Sequence, residues 1–250
     1  MTPVLGFLYP GYAAEDDYPA LAARLDPPVE AVVVHTSVGE DAHRADALRD
    51  LGSDERLREG ARRLTHLRPA AVVWACTSGA FVFGWEGAER QVEVLRERLG
   101  VPCSSTSFSF IAAVRALEVR RVAVGATYPA PIADLFGDFL AAGGIEVTHV
   151  ASSGIVTAAE VGALGGDEVL RLALQNDHRE AEAILLPDTA LHTVRWLTEL
   201  EEAAGKPVIT ANQATVWHAL QLAKRGRAQT GLGLLFTRTL EPSDAAVMRT

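Results

Sequence analysis

Cysteine is scarce in this sequence, at two in 250 residues. Two thiols make no disulfide framework and too few ligands for a cysteine-based metal cluster, which suits a reducing cytoplasm. Basic charge is short as well: 23 Lys and Arg stand against 32 Asp and Glu, a net charge of −9. Nucleic acids and acidic membrane surfaces need a basic face, so neither is an expected partner. The arginines that do gather, Arg56, Arg58, Arg62, Arg63 and Arg68, fall among acids in a helical stretch and read as a solvated face. No apolar run approaches the ~20 residues that span a bilayer. The opening MTPVLGFLYP has no basic stretch and breaks at Pro10, so no signal peptide is visible. The histidines show no metal-ligand spacing such as HExxH, and there is no P-loop. Gly162–Gly166 lacks the preceding strand that a dinucleotide motif requires and reads as a loop. A cytoplasmic protein using no metal and no cofactor is the expectation.

What is present is an alternation of short apolar runs with longer amphipathic ones. Val4–Tyr9, Val29–His35, Ala70–Ala75, Arg121–Ala126, Ile145–Val150, Ala183–Leu186 and Pro207–Thr210 read as buried strands. Their near-continuous Val, Ile and Leu content means both faces are covered, as in parallel sheets flanked by helices. Between them, helical periods cover Asp54–Leu67, Glu86–Leu99, Phe110–Leu117, Ala130–Ala142, Gly166–Gln175, Thr193–Ala204 and Ala214–Lys224. That order is an α/β fold.

The chain also contains its own motif twice. RPAAVVWACTSGAF and LGVPCSSTSFSFIAAVRAL are echoed by EAEAILLPDTALHT and AGKPVITANQATVWHALQLA, and GFLYP is echoed by GATYP. The period is far too long for a solenoid and indicates two similar α/β lobes. Residues 1–112 with 217–250 are expected to form the first lobe and 113–216 the second. Loops at the carboxyl ends of parallel strands bind ligands, so the 76–79 and 188–190 loops are expected to face one cleft.

Cys76 follows a buried strand and opens into Thr77, Ser78 and Gly79 before a helix. Nearby helix-terminal N–H groups would favour a thiolate, and the hydroxyls add donors for an anion. A small buried hydrophobe at a strand end is the plain alternative. Tyr128 ends a strand and is a phenolic donor or a packed aromatic. Cys103, beside Pro102, reads as structural; Asn212 and Gln213 either enter the cleft or start a helix; His192 packs in a helix.

WACTSGAF resembles the first catalytic loop of maleate cis–trans isomerases, whose close relatives are the arylmalonate decarboxylases, both within the aspartate/glutamate racemase superfamily. The resemblance runs through GFLYP, LGVPCSSTSFSFIAAVRAL, VRRVAVGATYP, AILLPDTALHT, KPVITANQATVWHAL and GLGLLF, nearly the whole chain. It implies two flavodoxin-like parallel-sheet lobes related by a pseudo-two-fold axis, with one cysteine from each lobe facing the substrate in most members. Decarboxylase relatives keep only the second cysteine, with glycine at the first position. Carried over, it implies Cys76 as the reactive thiol and Thr77, Ser78 and Tyr128 as donors to carboxylate oxygens, in an enzyme that is a dimer.

The sequence departs from that pattern in two places. The second-lobe cysteine position holds Asp188, followed by Thr189. Asp188 is open to three readings: an acid/base opposite Cys76, a ligand for a substrate amine, or a cap on the next helix. Where maleate isomerases have an asparagine after the first-strand proline, this chain has Gly11-Tyr12-Ala13-Ala14. Tyr12 there narrows the cleft, donates a different hydrogen bond, or lies on the surface. The expected activity is a cofactor-independent isomerase or racemase of a small carboxylic acid. Decarboxylation of malonate-type acids, or non-catalytic carboxylate binding, stands as the alternative.

Overall fold

A computed structural model describes residues 2–240. Two four-stranded parallel sheets have the same internal order. The first is β2–β1–β3–β4, with β1 Val4–Pro10, β2 Glu30–Thr36, β3 Ala71–Trp74 and β4 Cys103–Ser105. The second is β6–β5–β7–β8, with β5 Arg121–Ala126, β6 Glu146–Ser152, β7 Ala183–Leu186 and β8 Val208–Thr210. The first sheet is crossed by α1 Asp17–Ala22, α2 Ala45–Leu51, α3 Asp54–Leu64, α4 Ser78–Phe81, α5 Gly84–Leu99 and α6 Thr106–Ala116. The second carries α7 Ala130–Ala142, α8 Ala158–Gly162, α9 Gly166–Gln175, α10 Leu197–Ala204 and α11 Ala211–Leu222. The internal echo is therefore a repeat of topology. The part of the first-lobe assignment that covers 241–250 lies outside the described residues.

The apolar runs became strands where both faces are covered. β3 and β7 are buried along their whole length, and each fully buried Val, Leu or Ile is worth about 1.5–3 kcal/mol. β2 and β6 are outer strands and only half-buried. The LGVP and AGKP echoes have a common geometry: Gly100 ends α5 at φ 68° and Gly205 ends α10 at φ 64°. A left-handed residue after the last turn suits glycine, and the proline two residues on keeps the helix from continuing.

Boundaries moved where capping outweighed periodicity. The Phe110–Leu117 helix starts at Thr106, because Ser105 accepts a bond from Phe108 N at 3.4 Å and caps it. The Ala214–Lys224 helix starts at Ala211, where Thr210 and Gln213 form a reciprocal cap. Asp54–Leu67 and Thr193–Ala204 each contain a short 3-10 segment. Four helices of seven residues or fewer, α1, α2, α4 and α8, gave no visible period.

The lobes meet where α6 crosses α11. Thr106 Oγ1 lies 2.7 Å from Thr215 Oγ1 there, and Tyr18 donates to Asn212 Oδ1 at 3.0 Å nearby. No helix among the described residues is long and apolar enough to cross a membrane.

Candidate active site

In each sheet the chain order reverses between the two central strands, and parallel sheets leave a crevice beyond the carboxyl ends at such a point. Tyr9 is the last residue but one of β1, Cys76 follows β3, Thr127 follows β5 and Asp188 follows β7. The two crevices face each other. A cavity of about 260 Å³ between them is lined by Tyr9, Val38, His43, Cys76, Ser78 and Asp188, with Tyr12 and Thr189 also on its wall.

The loop carrying Cys76 is held from several sides. Ala75 N bonds Leu8 O at 2.8 Å, prolonging the β1–β3 pairing by one residue. Gln91 donates from one nitrogen to Gly52 O at 2.7 Å and Gly79 O at 2.8 Å, and Ser107 donates to Thr77 O at 2.8 Å. These bonds fix the direction of Gly79 N–H, which points at Cys76 Sγ from 3.3 Å. Ser78 Oγ is 3.9 Å from the sulfur.

Those donors favour a thiolate, as the sequence suggested, but they do not prevail. Cys76 is 3% exposed. Burial pushes its thiol up to about 12; the Gly79 N–H and Ser78 hydroxyl pull it down, and the Asp188 charge pushes it further up. The sulfur therefore carries its proton at neutral pH.

Asp188 is almost equally buried. Oδ1 accepts from Ala190 N at 2.9 Å, and Oδ2 accepts a short hydrogen bond from the Thr127 hydroxyl. Asp188 O also closes a turn with Leu191 N at 3.3 Å. The helix-cap reading is thus corrected: the carboxylate caps a tight turn, and helical geometry resumes only at Val194. Both oxygens are fixed, so the charge has a defined place across the cavity from the thiol.

His43 completes the set. Its Nδ1 lies 2.9 Å from Ile155 O, and a carbonyl can only accept, so Nδ1 carries a proton. Nε2 then faces Asp188 Oδ2 at 4.0 Å. The ring stands edge-on to Tyr128, with centroids 4.9 Å apart. His43 N also bonds Val156 O at 2.7 Å, so this first-lobe loop is seated on the second lobe. Among the described residues the lining contains no Lys or Arg, and Val38, Leu48 and Leu51 make one wall apolar. Of the acids at the mouth, Glu40 pairs with Arg44 at 2.8 Å and Asp41 bonds Ala158 N at 2.9 Å.

Other expected residues lie elsewhere. Tyr128 is 1% exposed, stays off the cavity wall, and donates its hydroxyl to Pro187 O at 3.0 Å. Its one proton is thus committed to the protein. Thr77 is fully buried behind the wall, with its hydroxyl lacking a hydrogen-bond partner. Tyr12 is 76% exposed and stacks on His35 at 4.1 Å, forming the rim. Asn212 bonds Asp17 and Tyr18, and Gln213 bonds Thr210 N and Leu232 O, so both are structural. Cys103 is a buried strand thiol bonded to Val101 O, and His192 pairs with Asp16 at 2.8 Å near the surface. Three wall or supporting residues escaped the sequence reading as functional groups: Tyr9, Thr127 and His43. The first two sit inside the YP echo, which was the available signal. His43 had none, because its loop carries no pattern and its partners, Ile155 and Asp188, lie in the other half of the sequence.

Comparison with known proteins gives a consistent picture. The family described as arylmalonate decarboxylase matches residues 46–236. The chain is 29% identical to arylmalonate decarboxylase of Bordetella bronchiseptica over 94% of this chain and 97% of that protein. It is 25% identical to maleate isomerase of Nocardia farcinica over 67% of this chain and 69% of that protein. Among solved structures it matches, with TM-score 0.84 and 28% identity, a liganded arylmalonate decarboxylase mutant in which one glycine is changed to cysteine and one cysteine to serine. That match covers 94% of this chain and 99% of the other.

Proposed function

Because the chain belongs to the arylmalonate decarboxylase family, we propose that it removes carbon dioxide from a malonate-type acid without a cofactor, Cys76 being the acid that protonates the product. The observation carrying this reading is the place of the sulfur: 3% exposed, on the wall of the cavity that Asp188 also lines, where burial pushes the thiol up and favours its protonated form. A thiol in that state gives up a proton only to a strong base, and the carbanion left by decarboxylation is one.

The steps balance as follows. One substrate carboxylate lies against the apolar wall of Val38, Leu48 and Leu51, where none of the described lining residues is a Lys or Arg. A poorly solvated charge is costly there, and leaving as CO2 removes it. The bonding pair stays on the α-carbon and spreads into the second carboxylate as an enediolate. Ser78, on the wall, is the proposed donor to those oxygens. Preorganised donors of this kind are worth about 3–4 kcal/mol each. Cys76 then delivers its proton to the α-carbon from the first-lobe side, and the sulfur recovers one from solvent. Burial keeps the resting thiol protonated, and the carboxylate of Asp188, fixed by Thr127 and Ala190, adds to that in smaller part. The pairing of a thiol with an oxygen side chain parallels the cysteine and serine of the mutant decarboxylase. A reducing cytoplasm, which protects a free thiol, is the proposed compartment.

Nucleophilic cis–trans isomerisation would need the thiolate, which burial and Asp188 both oppose. Racemisation is the second reading, favoured by one feature: Asp188 stands opposite Cys76 as a base facing an acid. Proton NMR in deuterium oxide with phenylmalonate, maleate and a single enantiomer of 2-phenylpropionate separates the three. Loss of CO2 with one deuterium on the α-carbon supports decarboxylation. Conversion of maleate, or α-proton exchange with all carbons retained, overturns it in favour of the isomerase or racemase. Saturable binding without turnover of any of them leaves a carboxylate-binding protein.

A further inference from the structure

His43 takes no part in the proposed decarboxylation, yet it is the one basic side chain among the described residues that line the cavity. Its ring is fixed from the second lobe. Nδ1–H donates to Ile155 O at 2.9 Å, and the His43 amide donates to Val156 O at 2.7 Å. Nε2 is left with a lone pair on the cavity side. It stands 4.0 Å from Asp188 Oδ2, too far for a hydrogen bond, and the described residues give it no other partner. An imidazolium would close on a carboxylate to about 2.8 Å, so the separation is that of a neutral ring beside an anion.

A malonate-type dianion brings two carboxylates into a cavity of about 260 Å³ that Asp188 already charges negatively. Charges taken out of water at close quarters need a counter-charge. The other ionisable groups around His43 supply none. Burial pushes the Cys76 thiol and the phenols of Tyr9 and Tyr128 up, so all three stay neutral. At the mouth Arg44 is held between Glu40 at 2.8 Å and Asp46 at 2.6 Å. On the α8 side Asp41 accepts from Ala158 N at 2.9 Å, and Glu160 accepts from the Thr157 hydroxyl at 2.8 Å. Both Asp188 oxygens already accept hydrogen bonds, whereas Nε2 accepts none.

We infer that substrate binding is coupled to protonation of His43: the imidazolium forms as the dianion enters and lies between Asp188 and the substrate carboxylate that is retained. This coupling rests on the malonate-type reading of the cavity and adds the group that selects a doubly charged substrate. Nε2–H donates to a retained oxygen, and the ring charge offsets both neighbouring carboxylates. The leaving carboxylate, against Val38, Leu48 and Leu51, is out of its reach and stays poorly compensated. One proton comes from solvent with each substrate, and the only bond made is N–H.

Calorimetry on Cys76→Ala, which lacks the proposed acid and so turns over slowly, counts that proton. Phenylmalonate is titrated at about pH 8, where an imidazole in water is neutral. Phosphate and Tris buffers differ in ionisation enthalpy, and the difference in observed heat gives the uptake per ligand bound. The expected result is about one proton per phenylmalonate. In the double variant Cys76→Ala, His43→Gln uptake should fall to near zero and affinity about tenfold or more, the loss of one charged contact. Binding with no uptake in Cys76→Ala overturns the coupling and leaves the decarboxylase reading standing. Uptake that survives in the double variant overturns it too, because Asp188 then carries the proton. No saturation at roughly 10 mM, ten times a millimolar Kd, sinks the coupling and the malonate-type reading together. If the double variant fails to fold, nitrogen NMR of histidine-labelled Cys76→Ala decides. Phenylmalonate should convert one of the seven histidines from the neutral to the charged form, and no conversion overturns the coupling.

Discussion

Raising the pH from 7 to 10 separates a thiol acid from a thiolate nucleophile at Cys76 more sharply than any substitution. With its pKa near 12, the sulfur is a thiolate in only about one molecule in 10⁵ at pH 7 and one in 10² at pH 10. If the thiol is the working form, its concentration changes by about 1% across that range, and kcat stays flat. If the thiolate is the working form, kcat/KM climbs about tenfold per pH unit, roughly 1,000-fold in all. Carboxylic acids are ionised throughout this interval, so the substrate adds no slope of its own. The assay is initial CO2 release from an arylmalonate at each pH, beside Cys76→Ser. The serine keeps the size and hydrogen bonding but is a far weaker acid, and kcat is expected to fall about 10²–10⁴-fold. In Asp188→Asn the profile should stay flat to about pH 9, because burial is the larger cause of the raised pKa. A slope near one in the wild type that disappears in Cys76→Ser would refute the acid role.

Three further outcomes follow from the same geometry. A Cβ on Gly79 would stand 3.0 Å from Cys76 Sγ and 3.2 Å from the Trp74 ring; Gly79→Ala should displace the sulfur and cut kcat by about 10–100-fold, as small misplacements do, and a crystal structure with the sulfur unmoved would refute this. Thr127→Val removes a hydroxyl proton from the buried Asp188 carboxylate and should cost about 1.5–3 kcal/mol in urea unfolding; no change in the midpoint would show that the bond carries no weight. Burial pushes the thiols of Cys76 and Cys103 up to about 12, from an ordinary value of 9.0. The folded state therefore holds protons that the unfolded state releases above pH 9. Stability is complete below that and falls as pH rises toward 12, by about 1.4 kcal/mol per unit for each thiol. Cys103→Ala should lessen that slope in denaturant titrations, and an equal slope would contradict it.

Seven of the eight described strands could be read from apolar runs, because strands such as β3 and β7 are covered on both sides and tolerate little else; the polar β4, Cys103–Ser105, left no such run. The repeat of YP, strand-end loop and Gly-x-Pro anticipated the two equal sheets. Arg121–Ala126, Ala130–Ala142 and Ala183–Leu186 were located to the residue. Short helices and helix starts were misjudged, since a cap such as Ser105 or Thr210 acts through one or two hydrogen bonds and leaves no period.

By itself, the order of residues determined the architecture and put Cys76 and Asp188 on facing loops, because strand ends and loop positions follow from local patterning. Only the tertiary structure decided what those groups are. The Cys76 sulfur keeps its proton because the desolvation of a closed cleft outweighs two local donors. Tyr128 gives its proton to Pro187 O, and His43 arrives from a distant loop to face Asp188. Burial and long-range contact are properties of the assembled lobes, and no short stretch of sequence carries them.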